Sequence, residues 1–174
     1  QMGRQYGGLA GSEMREFHQE IVEDLTARGV SLEHSSEVAR DVYSHYSPDL
    51  QQLLTGMSET YEMTLDEVLV LNAGLMLLTE AVLDGRPPSA CSGIAVWGDY
   101  SQDKELVFGR NWDIDREAMS CYMKYLAVVV YHPAEGNALA NIHPLGNVYL
   151  ETGMNSQGLF IELNNAEHSD PSWY

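Results

Sequence analysis

Cys91 stands where two kinds of sequence meet. Ahead of it runs Arg86-Pro87-Pro88-Ser89-Ala90, a stiff stretch of small residues; before that stretch the pattern is helical, and after it short strands follow. A thiol at the first position of a strand, just past an exposed connector, becomes an N-terminal nucleophile if the chain is cut before it. A free cysteine is equally a small hydrophobe that cores bury. The residues beyond Cys91 add chemistry: Cys91-Ser92-Gly93 is answered by Gly109-Arg110-Asn111-Trp112-Asp113. If residues 91–97 and 105–112 pair as a hairpin, the end of the second strand returns beside the start of the first and brings Arg110 to Cys91. A guanidinium beside a thiol favours the thiolate. Asp113 then has two uses, orienting Arg110 or accepting a hydrogen bond from a free α-amine. The plainer account of the same residues is an Arg110–Asp113 ion pair at a hairpin end. Both accounts stand.

A second group is Gly153-Met154-Asn155-Ser156-Gln157-Gly158-Leu159, followed by Asn164-Asn165. Asn155 to Gly158 suits a tight turn. Asn164 and Asn165 close an apolar strand, where a side-chain amide can donate to a developing oxyanion; the alternative is a polar strand exit. Trp112, Met119, Tyr122 and Tyr125 are candidates for an apolar acyl pocket, or for plain packing. The six histidines lack metal-ligand spacing, so neither a metal nor a cofactor is expected; His143, before Pro144, reads as a surface residue. Gly7-Gly8-Leu9-Ala10-Gly11 lacks the lysine and the strand of a phosphate-binding loop.

These residues need elements to hold them. Residues 1–11, rich in glycine, read as a loop or as an irregular start to a helix, with Ser12 capping a helix that carries Met14, Phe17, Ile21 and Leu25 up to Gly29. Val38, Val42, Tyr43 and Tyr46 mark a second helix that stops before Pro48, and Leu50, Leu53, Leu54 and Met57 a third. Thr64 with Glu67 forms a capping box for the strongest helix, which runs to Gly85. Beyond the connector, strands are expected at Ser92–Trp97, Glu105–Phe108, Tyr125–Tyr131, Ala138–His143, Val148–Glu151 and Leu159–Leu163, as an antiparallel meander. The fold class is α+β, with an all-helical segment (1–90) ahead of a β-rich part (91–174). The second part holds few helices to cover its sheet, so it reads as a piece of a larger domain.

The 174 residues are 44% hydrophobic and 20% charged, an ordinary globular composition. Nine basic residues against 26 acidic ones leave a formal charge of −17, which argues against nucleic acid and against an anionic membrane surface. The helical part alone carries 5 basic and 15 acidic residues, a net −10. The longest apolar run, Tyr125 to Tyr131, is too short to span a bilayer. No signal peptide is visible, yet Gln1 precedes Met2, so further residues are expected upstream and the compartment stays open between cytoplasm and export. Two cysteines make no disulfide framework, and a Cys91–Cys121 redox pair rests on counting alone.

Taken in order, Cys91-Ser92-Gly93, Gly109-Arg110-Asn111-Trp112-Asp113-Ile114, Gly153 to Leu159, and Asn165 resemble the choloylglycine hydrolase group of N-terminal nucleophile hydrolases. Met2-Gly3-Arg4-Gln5-Tyr6-Gly7 and the helical segment resemble its relatives, the acyl-coenzyme A:6-aminopenicillanic acid acyltransferases; acid ceramidase-type amidases share a helical pro-segment. The resemblance implies a four-layer αββα sandwich, of which this chain holds the first half behind its pro-segment. It implies self-cleavage between Ala90 and Cys91, after which the freed α-amine, with a pKa of about 8, serves as general base for its own thiol. By the same resemblance Arg110 and Asp113 flank the nucleophile and Asn165 is the oxyanion donor, with Asn164 next in register. The family's further catalytic asparagine and arginine have no counterpart here, so the rest of the catalytic domain must come from the same or a second chain. The activity implied is cleavage of a linear non-peptide amide, or transfer of its acyl group to an amine, on a small-molecule substrate within a homo-oligomer. The competing reading is a non-catalytic binding domain that never matures.

Overall fold

The computed structural model describes residues 1–83, 91–113 and 121–164. Ala90, the Pro87-Pro88 connector, Met119 and Asn165 lie outside them. The chain is α+β: four helices, α1 (Met2–Ala27), α2 (Leu32–Ser44), α3 (Pro48–Ser58) and α4 (Leu65–Leu83), precede two antiparallel sheets. The first sheet is the hairpin β1 (Ser92–Val96) with β2 (Val107–Asn111). The second has the order β3-β4-β5-β6, from Leu126–Tyr131, Leu139–Pro144, Thr152–Asn155 and Phe160–Glu162.

The glycine-rich start takes the helical alternative: α1 is continuous from Met2, and Ser12 lies inside it rather than capping it. Gly3 and Gly7 lie where α1 crosses α3, and a Cβ on Gly7 would sit 2.5 Å from the Met57 carbonyl oxygen. The glycines are there to let two backbones touch, and the burial of Tyr6, Met14, Phe17, Ile21 and Leu25 offsets their poor helix propensity. The capping box forms as the residue types predict, with Thr64 N donating to Glu67 Oε2 at 2.6 Å and Glu67 N to Thr64 Oγ1 at 3.3 Å. Ser31 caps α2 through the His34 N–H.

Helices and sheet share one core, in which Tyr122, Tyr125 and Val148 join Phe17, Ile21, Leu54, Leu71 and Leu78. Polar links run across it: Val148 N donates to Asn72 Oδ1 at 3.0 Å, and Gly146 N to Tyr6 Oη at 3.1 Å. His143 is no surface residue. It is 0% exposed, stacked against Tyr6, its Nδ1 donating to the Pro144 carbonyl at 2.7 Å, and burial pushes its pKa down.

Strand alternation sorts the second sheet into two faces. Val129, Tyr131, Asn141 and His143 turn toward the helices. Val128, Ile142, Thr152 and Glu162 form a cross-strand row on the opposite face, with Val130, Met154 and Phe160 beside it. The hairpin covers the β5–β6 end of that face, where Phe108 stacks on Phe160 at 4.2 Å between centroids. The described residues therefore stack in three layers: helices, four-stranded sheet, hairpin.

Residues 148–151 are not the strand their pattern predicts; Thr152–Asn155 takes that place in the ladder. The buried Asn141 side chain is the reason. Its Nδ2 donates to the Tyr149 carbonyl at 3.0 Å, and its Oδ1 accepts from Glu151 N at 3.3 Å and Thr152 N at 3.4 Å. Backbone groups that a ladder would use are satisfied by one amide instead.

Candidate active site around Cys91

The hairpin register sets the site. Gly93 faces Arg110 and Ser92 faces Asn111, so Cys91, one residue ahead of β1, lies at the end where β2 finishes. Gly93, Ala95, Phe108 and Arg110 share the face turned toward β5 and β6. Arg110 Nη2 points at Cys91 Sγ across 3.5 Å, which places the thiol on the same face. The juxtaposition read from the sequence is present.

Arg110 is held from several directions. Its side chain is 6% exposed; Nη1 donates to the Glu151 carbonyl at 2.9 Å and to Thr152 Oγ1, and Nη2 donates to the Leu163 carbonyl. The Trp112 ring centroid lies 5.9 Å from its Cζ, so Trp112 flanks the guanidinium. Glu151, 5% exposed, is a carboxylate at ion-pairing distance, with Oε2 at 3.7 Å from Nη1. Burial pushes the Glu151 carboxyl up, opposed by Arg110 and by a hydrogen bond with Tyr149.

Glu151 is the residue that sequence reasoning passed over. One signal was available: a lone acid directly after Val148-Tyr149-Leu150, since acids in apolar surroundings are nearly always paired. Asp113, expected to orient the arginine, sits beside Asn111, whose Nδ2 donates to its Oδ1 at 2.5 Å. Asn164 is exposed and its Nδ2 donates to Glu162 Oε1 at 2.9 Å. Tyr122 belongs to the core, 1% exposed and packed edge-on against Phe17 at 4.9 Å, rather than to a substrate pocket.

Both cysteines are free thiols. Burial first, and the Asp24 charge after it, push the Cys121 thiol up to about 11, which suits a structural cysteine. Chemically, the arrangement offers one thiol, a fixed guanidinium directed at it, and two carboxylates, Glu151 and Glu162, on the layer opposite.

No family model matches the chain. An uncharacterized protein of Archaeoglobus fulgidus is 21% identical over 94% of this chain and 31% of its own length, so the chain spans less than a third of that relative. Among the described residues, no helix is long and apolar enough to cross a membrane.

Proposed function

We propose that Cys91 is the nucleophile of a self-processing amidohydrolase of the N-terminal nucleophile type. The observation that carries the reading is the buried Arg110, fixed by backbone and side-chain acceptors, with one N–H directed at Cys91 Sγ. A guanidinium so held stabilises a thiolate without reorganising when the charge appears.

In maturation Cys91 Sγ attacks the Ala90 carbonyl carbon. The C–N bond breaks, a thioester forms, and the nitrogen takes up the thiol proton to become an amine. Water then hydrolyses the thioester, leaving a carboxylate at Ala90 and restoring the thiol. In turnover the same thiol attacks a small-molecule linear amide, with the freed α-amine as base. The amine product leaves, and the acyl group passes to water, or to an amine if the enzyme acts as a transferase. Asn164 or Asn165 supplies the oxyanion donor, and Asp113 the acceptor for the α-amine.

In this reading the four-stranded sheet and the hairpin are the two β layers of an αββα sandwich, its α layers coming from other parts of the polypeptide or from a second chain. Residues 1–90 act as the pro-segment, and they stay bound after cleavage: Tyr122, Tyr125 and Val148 are buried among α1 and α4, and Tyr125 Oη donates to Glu20 at 2.8 Å.

Intact-mass measurement of purified protein tests the reading. Wild type is expected to yield a chain beginning at Cys91 that co-elutes with the 1–90 piece, and Cys91→Ala to remain whole. The proposal fails if wild type never yields that chain and Cys91→Ala behaves identically.

A further inference from the structure

The Glu162 carboxylate has an unusual seat. It lies against the backbone of Gly93, with Oε2 2.7 Å from where a Cβ of that residue would stand, so the absence of a side chain at Gly93 lets the carboxylate seat there. Oε1 accepts from Asn164 Nδ2 at 2.9 Å. Oε2 is inaccessible to solvent and has no hydrogen-bond partner among the described residues. A carboxylate oxygen shut from water without a donor is costly, and such atoms call for an explanation.

Position supplies one. Cys91 lies two residues before Gly93 on the same face, about 7 Å along the strand. Arg110, which reaches Cys91 Sγ with Nη2, also donates to the carbonyl of Leu163, the neighbour of Glu162. In the uncut chain the Cys91 nitrogen is an amide. Cleavage at Ala90–Cys91 turns it into an ammonium, a new donor and a new positive charge, at the end of the strand that Glu162 touches.

We infer that Glu162 is a positioning residue that accepts a second N–H of the Cys91 α-amine, beside the one given to Asp113, once the chain is cut, holding the new N-terminus against β6. The inference rests on the proposed maturation. It gives the orphaned oxygen a donor that exists only in the mature protein, and it leaves Asn164 oriented by the other oxygen of the same carboxylate. Among the described residues, the charged groups around this end of the hairpin are Arg110 on β2, Asp113 just past it, Glu151 ahead of β5 and Glu162 itself. Glu151 is paired with Arg110, whereas Glu162 lies against β1 itself.

An adjacent carboxylate favours the protonated amine, so removing its charge lowers the pH at which the amine titrates. The test is the rate of reductive methylation of the Cys91 α-amine against pH, read by mass spectrometry on the N-terminal peptide of mature wild type, Glu162→Gln and Glu162→Asp. The midpoint is expected to fall by about half to one pH unit in Glu162→Gln and by less in Glu162→Asp, which keeps the charge on a shorter arm. Equal midpoints in wild type and Glu162→Gln overturn the assignment. So does a Glu162→Gln chain that folds by circular dichroism but never releases Cys91, because the carboxylate would then act before the amine exists. If wild type itself never releases Cys91, the maturation reading falls and this assignment with it.

Discussion

Replacing Arg110 by methionine isolates the buried pair. Methionine keeps a long side chain between the layers but removes the guanidinium, leaving the buried Glu151 with no counter-charge among the described residues. At the observed 3.7 Å the lost attraction is about 4 to 5 kcal/mol for an effective dielectric of about 20. Breaking one side of a buried pair typically costs about 3–5 kcal/mol, so about 4 kcal/mol is the expected loss near neutral pH, or roughly 10 °C in melting temperature.

The deficit must also depend on pH. Burial already holds the Glu151 carboxyl above its usual value of 4.5 with Arg110 beside it, and without the guanidinium it rises further. A carboxyl raised in the folded state binds its proton more tightly folded than unfolded. Its contribution to stability therefore falls as pH rises from the unfolded value through the folded one. In Arg110→Met that window extends upward, so the deficit is small at about pH 5, where Glu151 can take a proton, and full at about pH 8. Urea denaturation of wild type and Arg110→Met at both pH values reads this directly. A deficit under about 1 kcal/mol at the higher pH, or one equal at both, refutes the pairing argument.

Three further outcomes are expected from burial and geometry. Iodoacetamide at about pH 8 should modify Cys91 at least tenfold faster than Cys121, whose thiol is pushed up to about 11 and is almost wholly protonated there; peptide mass spectrometry with equal labelling of the two would contradict it. Tyr122→Phe should raise stability by about 1 kcal/mol, because the hydroxyl is buried with no partner among the described residues, and a melting temperature that drops instead would mean the hydroxyl is satisfied. Gly146→Ala should cost about 2–4 kcal/mol in a urea titration, since Gly146 has φ of +85° and a Cβ there would sit 2.7 Å from Leu71 Cγ; a loss under about 0.5 kcal/mol would show that α4 yields at this contact.

What the sequence determined by itself was local. The Thr64–Glu67 box, the periods of α2, α3 and α4, and the change of period after the connector all act between residues a few positions apart, where spacing alone dictates geometry. The meeting of Arg110 with Cys91 belongs to the same class, because a hairpin converts strand order into register and needs no other part of the fold.

Tertiary structure decided the rest. Gly3 and Gly7 look like loop residues until α3 lies against them, and then they are what a close helix crossing requires. His143 carries no mark of burial in its neighbours; Tyr6, far away in the chain, buries it. Val148 to Glu151 has strand composition, but the Asn141 amide takes its backbone groups. Arg110 finds its acceptors 41 and 53 residues away, at Glu151 and Leu163, and separations of that size leave no period for a sequence to display. Sequence spacing thus predicted which thiol and which arginine meet. Only the packing of the hairpin on β5 and β6 surrounded them with Glu151 and Glu162, because layer contacts are set by faces that meet rather than by residues that succeed one another.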